Sequence, residues 1–472
     1  MSEIKVNKLS PRTNCGTVQL GDSGDTITIP AGVTITNNGT AAGFGSTGEV
    51  SWDTTVKTTG FTAVSGVGYF VNTTAGIITV TLPASPSAGD VVAVSDYAGT
   101  ADTNAITIGR NSSNINGAAA DLTISNENSA ITLVYVDGTQ GWKATNTSNL
   151  NDIELQPTYI TATGGTITES GDYKIHTFTG TSAFCVSSVG NPAGSDEVSY
   201  LVVAGGGGGG NKRAGGGGAG GFREGKSPQD SYTASPIACT SGSNNGLPVT
   251  VQSYPIIVGS GGLGGIASGP ACSVGTASAN GLVSTFSTIT SAGGGTGGGV
   301  SPNAGPNGSG GPGGSGGGGF AGGVPSAPFP ASTVGGVGNT PPVSPAQGFD
   351  GGVSRASPCC SGQAGGGGGA AALGKNGNDP GGNDGNGGAG ASTEITGSAV
   401  TRGGGGGSGS RSSGGVATSG GAGGGGAGSP TGNGTNGTAN TGGGGGGMSD
   451  TACSSSGNGG SGIVVIRYKF QN

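Results

Sequence analysis

The sequence predicts an all-β protein with almost no α-helix. No window of the 472 residues shows a sustained apolar period of 3.6, so amphipathic helices are not indicated. Thr, Val, Ile, Ser, Asn and Gly dominate, and turn residues recur every few positions. Charged residues make up 9% of the chain and aromatic residues 5%, so one large conventional core is not expected. We therefore expect an elongated, fibrous chain of several β-domains.

Residues 1–48 are predicted to form an N-terminal attachment segment and β stalk. Short Ile/Thr strands, such as Thr26–Ile29 and Val33–Thr36, alternate there with Gly/Asp and Pro-Ala-Gly turns. Strands this short cannot bury their apolar side alone. We expect them to wind around copies of themselves in a homotrimer, and a single hairpin packed on the next domain is the alternative.

Residues 49–150 are predicted to form a β-sandwich. Strand candidates such as Ile77–Leu82 and Ala130–Val136 recur about every ten residues between Gly, Pro and Asn turns, which is typical of sandwiches. Trp52 and Trp142 are candidates either for exposed sugar-binding platforms or for packing in the core or between subunits. Packing is favoured because aromatic residues are scarce in this chain.

Residues 151–204 are predicted to form a β base that residues 463–472 complete. Tyr173–Phe178 alternates like a strand, and Glu197–Val203 and Ile463–Phe470 are apolar strands. Residues 205–462, between the last two of these strands, form the glycine-rich region. Of the 114 glycines in the chain, 24 precede residue 205, so the remaining 90 lie in this region.

Three structures compete for the glycine-rich region. A collagen helix is rejected, because collagen needs glycine at every third position and runs such as 442–447 break that period. A disordered tract and a packed array of polyglycine type II helices remain. Strands at both ends and runs of similar length favour the array. The runs lie near residues 205–210, 214–221, 293–299, 308–319, 365–374, 403–409, 420–428, 442–447 and 457–462.

Several functional classes find little support in the sequence. The net charge is −7 with no basic run, so nucleic-acid binding is not expected. The chain has one histidine, His176, and seven cysteines without CxxC spacing, so we expect no metal site and no cofactor. The sequence starts without a signal-peptide pattern, and no stretch has the apolar length of a membrane span. We expect a soluble protein that is made in a cytoplasm, without ordinary secretion.

Four segments resemble the glycine-rich domain of tailed-phage tail fibre proteins, common in marine phages. The region is also similar in construction to polyglycine adhesins at the fibre tips of T-even-like phages. The resemblance covers roughly residues 160–472, and Leu20–Pro30 and Tyr69–Asn72 resemble phage fibre modules. The segments are Val202–Gly209, Gly215–Glu224, Gly437–Gly447 and Ser461–Tyr468.

This resemblance implies a virion protein of the tail, assembled in the host cytoplasm, that touches the host surface. In such adhesins the loops that join the polyglycine helices form the recognition tip. The corresponding stretches here are Phe222–Tyr254, Phe320–Phe349, Val353–Ala364, Ser429–Thr431 and Met448–Cys453. Alternatively, their aromatic residues plug the ends of the glycine array. The candidate receptor-binding residues are Phe222, Arg223, Tyr232, Phe320, Phe329, Phe349, Arg355 and Met448.

The leading hypothesis is a receptor-binding tail fibre without enzymatic activity. It would be attached through its N-terminus to a tail or other virion protein, and it would bind a host glycan or outer-membrane protein. A purely structural fibre of the capsid or tail is the alternative. A depolymerase of envelope polysaccharide is less favoured, because it needs paired carboxylates and pairs such as Asp196/Glu197 lie beside predicted strands. His176 alternates within a strand and is expected to be structural.

Overall fold

The coordinates are a computed structural model. The predicted stalk lies outside the residues that the structure describes, and the described residues form two compact units. Strands occur in both units, and no α-helix occurs in the described part, which confirms the all-β prediction there. The described residues are 50–147, 154–155, 157–191, 193–239, 245–268, 274–300, 308–321, 333–354, 362–377, 385–410, 417–450 and 453–472.

The first unit comprises the described residues 50–117 and 125–147. Alternation of apolar and polar residues makes its strands, as in β4, where Ile78 and Val80 are buried and Thr79 between them is exposed. The strands up to residue 155 are β1 (Ser51–Lys57), β2 (Phe61–Thr62), β3 (Val67–Val71), β4 (Ile78–Thr81), β5 (Val91–Asp96), β6 (Ile106–Gly109), β7 (Leu122–Ile124), β8 (Ala130–Asp137), β9 (Gly141–Thr147) and β10 (Glu154–Leu155). Strands β7 and β10 belong to the second unit and pair antiparallel.

The chain of the first unit winds between two sheets. Strands β1, β3 and β5 are parallel neighbours in one sheet, while β2, β4 and β6 are parallel neighbours in the other. Strands β8 and β9 then extend the first sheet antiparallel. Successive strands therefore alternate between sheets, a winding that the sequence pattern did not predict. Apolar side chains such as Val92, Ile108, Leu133 and Trp142 are fully buried in this unit.

The second unit has a β base and a glycine array. Its strands beyond residue 155 are β11 (Thr161–Thr163), β12 (Thr166–Ser170), β13 (Tyr173–Phe178), β14 (Ser182–Ser188), β15 (Glu197–Val203), β16 (Phe222–Gly225), β17 (Leu247–Pro248), β18 (Ser253–Ile257), β19 (Ile266–Ser268), β20 (Val274–Thr276), β21 (Ser284–Phe286), β22 (Ile289–Ser291), β23 (Ala391–Thr393), β24 (Val400–Arg402) and β25 (Ile463–Lys469).

Two antiparallel sheets form the base. One has the order β12-β13-β25-β15-β16, with β17 paired to β15, and the other has the order β11-β14-β18-β21-β22. Aromatic side chains of both sheets, including Phe184, Phe286 and Tyr468, share one buried cluster. The last strand, β25, lies between β13 and β15, so the glycine-rich region leaves and re-enters the base beside itself.

From this base the chain runs out and back repeatedly through extended glycine-rich segments. Each outward segment is followed by an inward segment that returns to the base. The outward segments are 204–210, 258–265, 292–298, 315–321, 349–354, 372–377, 403–410, 425–428 and 442–448. The inward segments are 214–221, 276–283, 308–314, 333–338, 362–370, 385–390, 417–422, 433–438 and 455–462.

The amide groups of these segments bond sideways with a period of three residues. Along segment 204–210, successive N–H groups point to three different neighbours, and the fourth returns to the first. The hydrogen bonds are 2.8–3.0 Å long and run from Gly205 and Gly208 to Leu282 and Ala279, from Gly206 and Gly209 to Gly460 and Gly457, and from Gly207 and Gly210 to Gly218 and Gly215. Because the described segments make no hydrogen bonds within themselves, these sideways bonds are the ones that satisfy their backbone N–H and C=O groups.

Segment 214–221 occupies the centre of the array. Its N–H groups donate to segments 292–298, 362–370 and 442–448, and its carbonyl oxygens accept from segments 204–210, 315–321 and 403–410. Each of these six segments also bonds to the next one around the ring, so the seven form a hexagonal bundle. Only glycine fits most of its positions: a Cβ on Gly216 would lie 2.0 Å from the carbonyl oxygen of Gly406.

Asparagine side chains complete the outer segments. Their amide oxygens accept N–H groups that have no further backbone neighbour, at 2.8–2.9 Å. These pairs are Asn280 with Thr296, Asn376 with Val353, Asn433 with Ser455, and Asn436 with Asn458. The side chain thus replaces a backbone carbonyl at the perimeter and keeps the amide satisfied.

Candidate functional site

The array has two ends with different chemistry. Its base end meets the strands of the β base. At the opposite end, called here the outer end, all the outward segments of the described chain finish and all the inward segments begin. Connections from an outward to an inward segment therefore start and finish at the outer end, although much of their length lies outside the described residues.

A cationic turn lies at the centre of the outer end. Asn211, Lys212 and Arg213 join segment 204–210 to the central segment. Arg213 Nε donates to Asp450 Oδ2 at 2.6 Å, and Lys212 Nζ lies 3.8 Å from Asp450 Oδ1. Lys212 and Arg213 have φ angles of 51° and 55°, in the left-handed region that costs energy for residues with a Cβ. Our sequence interpretation missed this turn, although two adjacent cations between the first glycine runs were a visible signal.

Two predicted receptor-binding residues lie at the outer end, but both are buried. Phe320 is 1% exposed, and its backbone N–H donates to the Gly308 carbonyl at 3.1 Å. Met448 is fully buried in a small cluster with Ala214 and Ala267. In this structure both side chains fill the outer end of the array.

Four other predicted residues lie at the base end, away from the outer connections. Phe222 and Tyr232 are buried in one apolar cluster of the base. Arg223 Nη1 donates to the Thr290 carbonyl at 3.4 Å, and Phe349 is partly exposed, with 36% of its surface accessible. The loop stretch that begins at Phe222 therefore does not share the outer end with Phe320 and Met448. Phe329 and Arg355, the remaining two candidates, lie outside the described residues.

A buried ion pair anchors the loop after β16 to the base. Arg467 Nε donates to Asp230 Oδ1 at 2.9 Å, and both side chains are at most 5% exposed. Asp230 Oδ2 accepts the Ser199 hydroxyl at 2.9 Å, and the Arg467 guanidinium lies 4.3 Å from the centroid of the Tyr173 ring. Because every one of these groups has an internal partner, the pair holds the loop in place.

Nearby Glu224 forms a second buried polar group. Its carboxylate accepts the Thr393 hydroxyl and the Ser235 N–H. Burial raises the pKa of the Tyr232 phenol far above its usual range, and Glu224 adds to that shift. Burial lowers the pKa of the Arg402 guanidinium, and the charge of Glu224 opposes this effect. These groups join β16 to the β23–β24 hairpin.

The single histidine has a structural position. His176 is fully buried, its Nδ1 lies 2.8 Å from the Gly164 carbonyl, and its Nε2 lies 3.1 Å from the Tyr468 hydroxyl. A neutral ring satisfies both contacts when Nδ1 donates and Nε2 accepts. Burial lowers the pKa of this imidazole, which keeps it neutral.

The acidic pair considered for catalysis also lies in the base. Asp196 Oδ1 accepts Gln229 Nε2 at 3.0 Å, while Glu197 lies on β15 and is buried. Burial and the neighbouring Asp196 raise the pKa of Glu197. Among the described residues, no group of three His, Cys, Asp or Glu side chains is placed to hold a metal ion. The same residues include no helix that could cross a bilayer.

The three cysteines that the structure describes differ in their sulfur chemistry. Cys185 and Cys239, neither of which lies at the outer end, are free thiols. Cys453, in the connection between segments 442–448 and 455–462, is disulfide-bonded. A covalent bond thus restrains one connection at the outer end, and disulfides of this kind stabilise loops by limiting the unfolded chain.

In the part of the chain that the structure describes, the fold is all-β, and the interior of the glycine array consists of backbone. Residues 176–469, more than half of the chain, match the family described as glycine-rich domain, and the chain belongs to that family. A search among curated proteins finds no match.

Proposed function

We propose that the chain is a tail fibre protein of a phage virion, a non-enzymatic adhesin that binds the host cell surface. The observation that carries this proposal is the out-and-back course of the glycine segments, which gathers their connections at one outer end. Connections on a rigid scaffold are free to vary in sequence without disturbing the fold, and binding sites are commonly built on them.

The scaffold in this proposal is an array of polyglycine type II helices. That helix has three residues per turn and no internal hydrogen bonds, so its amides must bond to neighbouring helices. The period of three along segment 204–210 and the six neighbours of segment 214–221 support this assignment. Ordering glycine costs roughly 1–2 kcal/mol per residue in backbone entropy, which sideways hydrogen bonds and Cα–H···O contacts offset.

Receptor contacts are assigned to the outer end. Lys212 and Arg213 lie in an outer connection. In the sequence, Phe329 follows outward segment 315–321 and Arg355 follows outward segment 349–354, and we keep both as receptor-binding candidates. The partner is a host glycan or an outer-membrane protein. The protein itself is a homotrimer, attached through its N-terminal residues to another protein of the virion tail.

The test is competition for host cells. Purified full-length protein, added to cells that the phage infects, is expected to block phage adsorption in proportion to dose. Lys212→Gly removes a charge at the outer end and suits the positive φ of that position, so we expect about tenfold weaker competition, equivalent to about 1.4 kcal/mol. Lys174→Ala, at the base, is the matched control and should compete normally.

Each alternative function gives a different result. A structural fibre would not compete for cells at any dose, and antibody labelling would find it on the virion all the same. A depolymerase would release reducing sugar from host envelopes. If Lys212→Gly and Lys174→Ala weakened competition equally, the assignment of receptor contacts to the outer end would be wrong.

A further inference from the structure

One flank of the array is apolar and carries no charge. Two neighbouring segments form this flank on the perimeter, 258–265 with the strands on either side of it, and 276–283. They are joined by hydrogen bonds of 2.9 Å from the Ala279 N–H to the Leu263 carbonyl and from the Leu282 N–H to the Ser260 carbonyl. They expose large apolar side chains, called here the apolar flank: Ile257, Leu263, Ile266, Leu282 and Val283.

The absence of charge extends far beyond these five residues. Between Asp230 and Asp350 the sequence has 119 consecutive residues, 231–349, without Asp, Glu, Lys, Arg or His. By contrast, residues 350–462 contain nine Asp, Glu, Lys and Arg residues. Perimeter segment 433–438 exposes Asn433, Thr435, Asn436 and Thr438 instead of large apolar side chains. Segment 333–338, which also belongs to the uncharged stretch, exposes Val334 and Val337, so large apolar side chains are exposed on several perimeter segments of that stretch.

We propose that the apolar flank is a contact surface for a second copy of this chain. Exposed apolar side chains in contiguous groups mark interaction surfaces in soluble proteins. A foreign partner is normally selected through complementary charges, and this flank offers none. When two copies meet, the same surface lies on both sides of the contact. Any charged side chain on that surface could then face its own copy and repel it, so the lack of charge favours self-association.

The placement of these side chains also favours a second copy. Ile257 ends β18, Ile266 begins β19, and Leu263 lies between them on segment 258–265, so exposed apolar side chains occur along the whole length of this segment. An identical flank presents the same side chains at the same spacing, so two copies can pack them against each other.

This inference stands whether or not the outer end binds a receptor. It also places the contact in the glycine-rich domain, separate from the predicted stalk at residues 1–48. The contact would therefore hold the arrays of neighbouring chains side by side in the assembled protein.

Photo-crosslinking of the full-length protein tests the contact. The photoreactive amino acid p-benzoylphenylalanine replaces Leu282 in one protein and Leu373 in a matched control. Both leucines lie on perimeter segments and are similarly exposed, at 60% and 56%. After illumination of purified protein, we expect covalent oligomers from position 282, joined to residues of the apolar flank, and only monomer from position 373.

A charge on the flank provides the second measurement. Leu263→Lys places an ammonium group on both copies at a side chain that is 65% exposed, so the fold should survive, as the thermal midpoint will show. Crosslinking from position 282 should then be lost. The proposal is overturned if positions 282 and 373 give the same products, or if crosslinks from 282 avoid the flank. It is also overturned if position 282 reacts only when phosphatidylethanolamine vesicles are added.

Discussion

In the first unit the interior consists of side chains, whereas in the glycine array it consists of backbone. Trp142, Leu133 and Ile108 are buried in the first unit and gain free energy by leaving water. In the array, segment 214–221 is surrounded by six other segments and contributes almost no side-chain volume. A side-chain core is damaged when atoms are removed, while a backbone core is damaged when atoms are added. The two units therefore make opposite predictions for substitutions.

The largest effect is expected from one added methyl group at the centre of the array. In Gly216→Ala the new Cβ would lie 2.0 Å from the Gly406 carbonyl oxygen, a backbone atom that cannot move without breaking hydrogen bonds. We expect the second unit to lose its cooperative unfolding transition, as measured by calorimetry. Gly180→Ala is the control, since its Cβ meets nothing within 4 Å, and it should change stability by less than about 1 kcal/mol.

Both tryptophans, Trp52 and Trp142, lie in the first unit, so their fluorescence reports on that unit alone. If Gly216→Ala changed the unfolding transition seen by fluorescence and left the calorimetric transition of the second unit unchanged, the assignment of a backbone core to the second unit would be wrong.

The reverse substitution is expected to damage the first unit. Trp142→Ala empties a fully buried site where the indole packs edge-on against Tyr135, with ring centroids 5.6 Å apart. We expect a loss of about 3–5 kcal/mol in the free energy of unfolding, measured in urea. Trp52→Ala is the matched control: this ring stacks on Phe70 at 4.8 Å but is 42% exposed, and its loss should cost roughly 0.5–1.5 kcal/mol.

The β base, whose strands β15 and β25 precede the first glycine segment and follow the last, depends on buried charge. Asp230→Asn leaves the buried Arg467 guanidinium without its anion, so we expect a loss of about 3–5 kcal/mol from the second unit. Glu169→Gln removes the partner of Lys174 in an exposed pair 4.0 Å long and should cost less than about 1 kcal/mol. Equal costs for the two variants in chemical denaturation would show that the buried pair is not an anchor.

The smallest effect is the dependence of the base on pH through His176. Burial lowers the pKa of this imidazole in the folded state below its ordinary value of 6.5. Below pH 6.5 the imidazole therefore binds a proton in the unfolded chain but not in the folded chain. The free energy of unfolding falls as the pH decreases towards the folded pKa. In His176→Gln this component should disappear from a plot of the unfolding free energy of the second unit against pH. An unchanged plot would contradict the neutral, buried imidazole.

Local patterns in the sequence predicted the all-β class, because alternating residues such as Ile78, Thr79 and Val80 show their burial directly. They did not predict the winding of the first unit, since parallel and antiparallel pairing follow from which distant strands meet. The bonding partners of each glycine segment were equally hidden, because glycines do not differ from one another in side-chain chemistry.

The candidate binding residues show the same limit more sharply. Phe222 packs with Ala370, and Met448 packs with Ala214, so their burial depends on residues more than a hundred positions away. An aromatic residue next to a glycine run looks the same in sequence whether it fills the scaffold or faces solvent. The turn at Lys212 and Arg213 carried a signal that composition does provide, namely charge in an otherwise neutral region.

The repeat of three residues along the glycine segments has a consequence for insertions and deletions. Removal of one residue from segment 204–210 would rotate every following amide by about a third of a turn, so each would face the wrong neighbour. Removal of three residues would shorten the segment but restore the phase of all the amides that remain. The length of a glycine segment can therefore change only in steps of three residues without a loss of this pairing, whereas chain outside the hydrogen-bonded segments is not subject to that repeat.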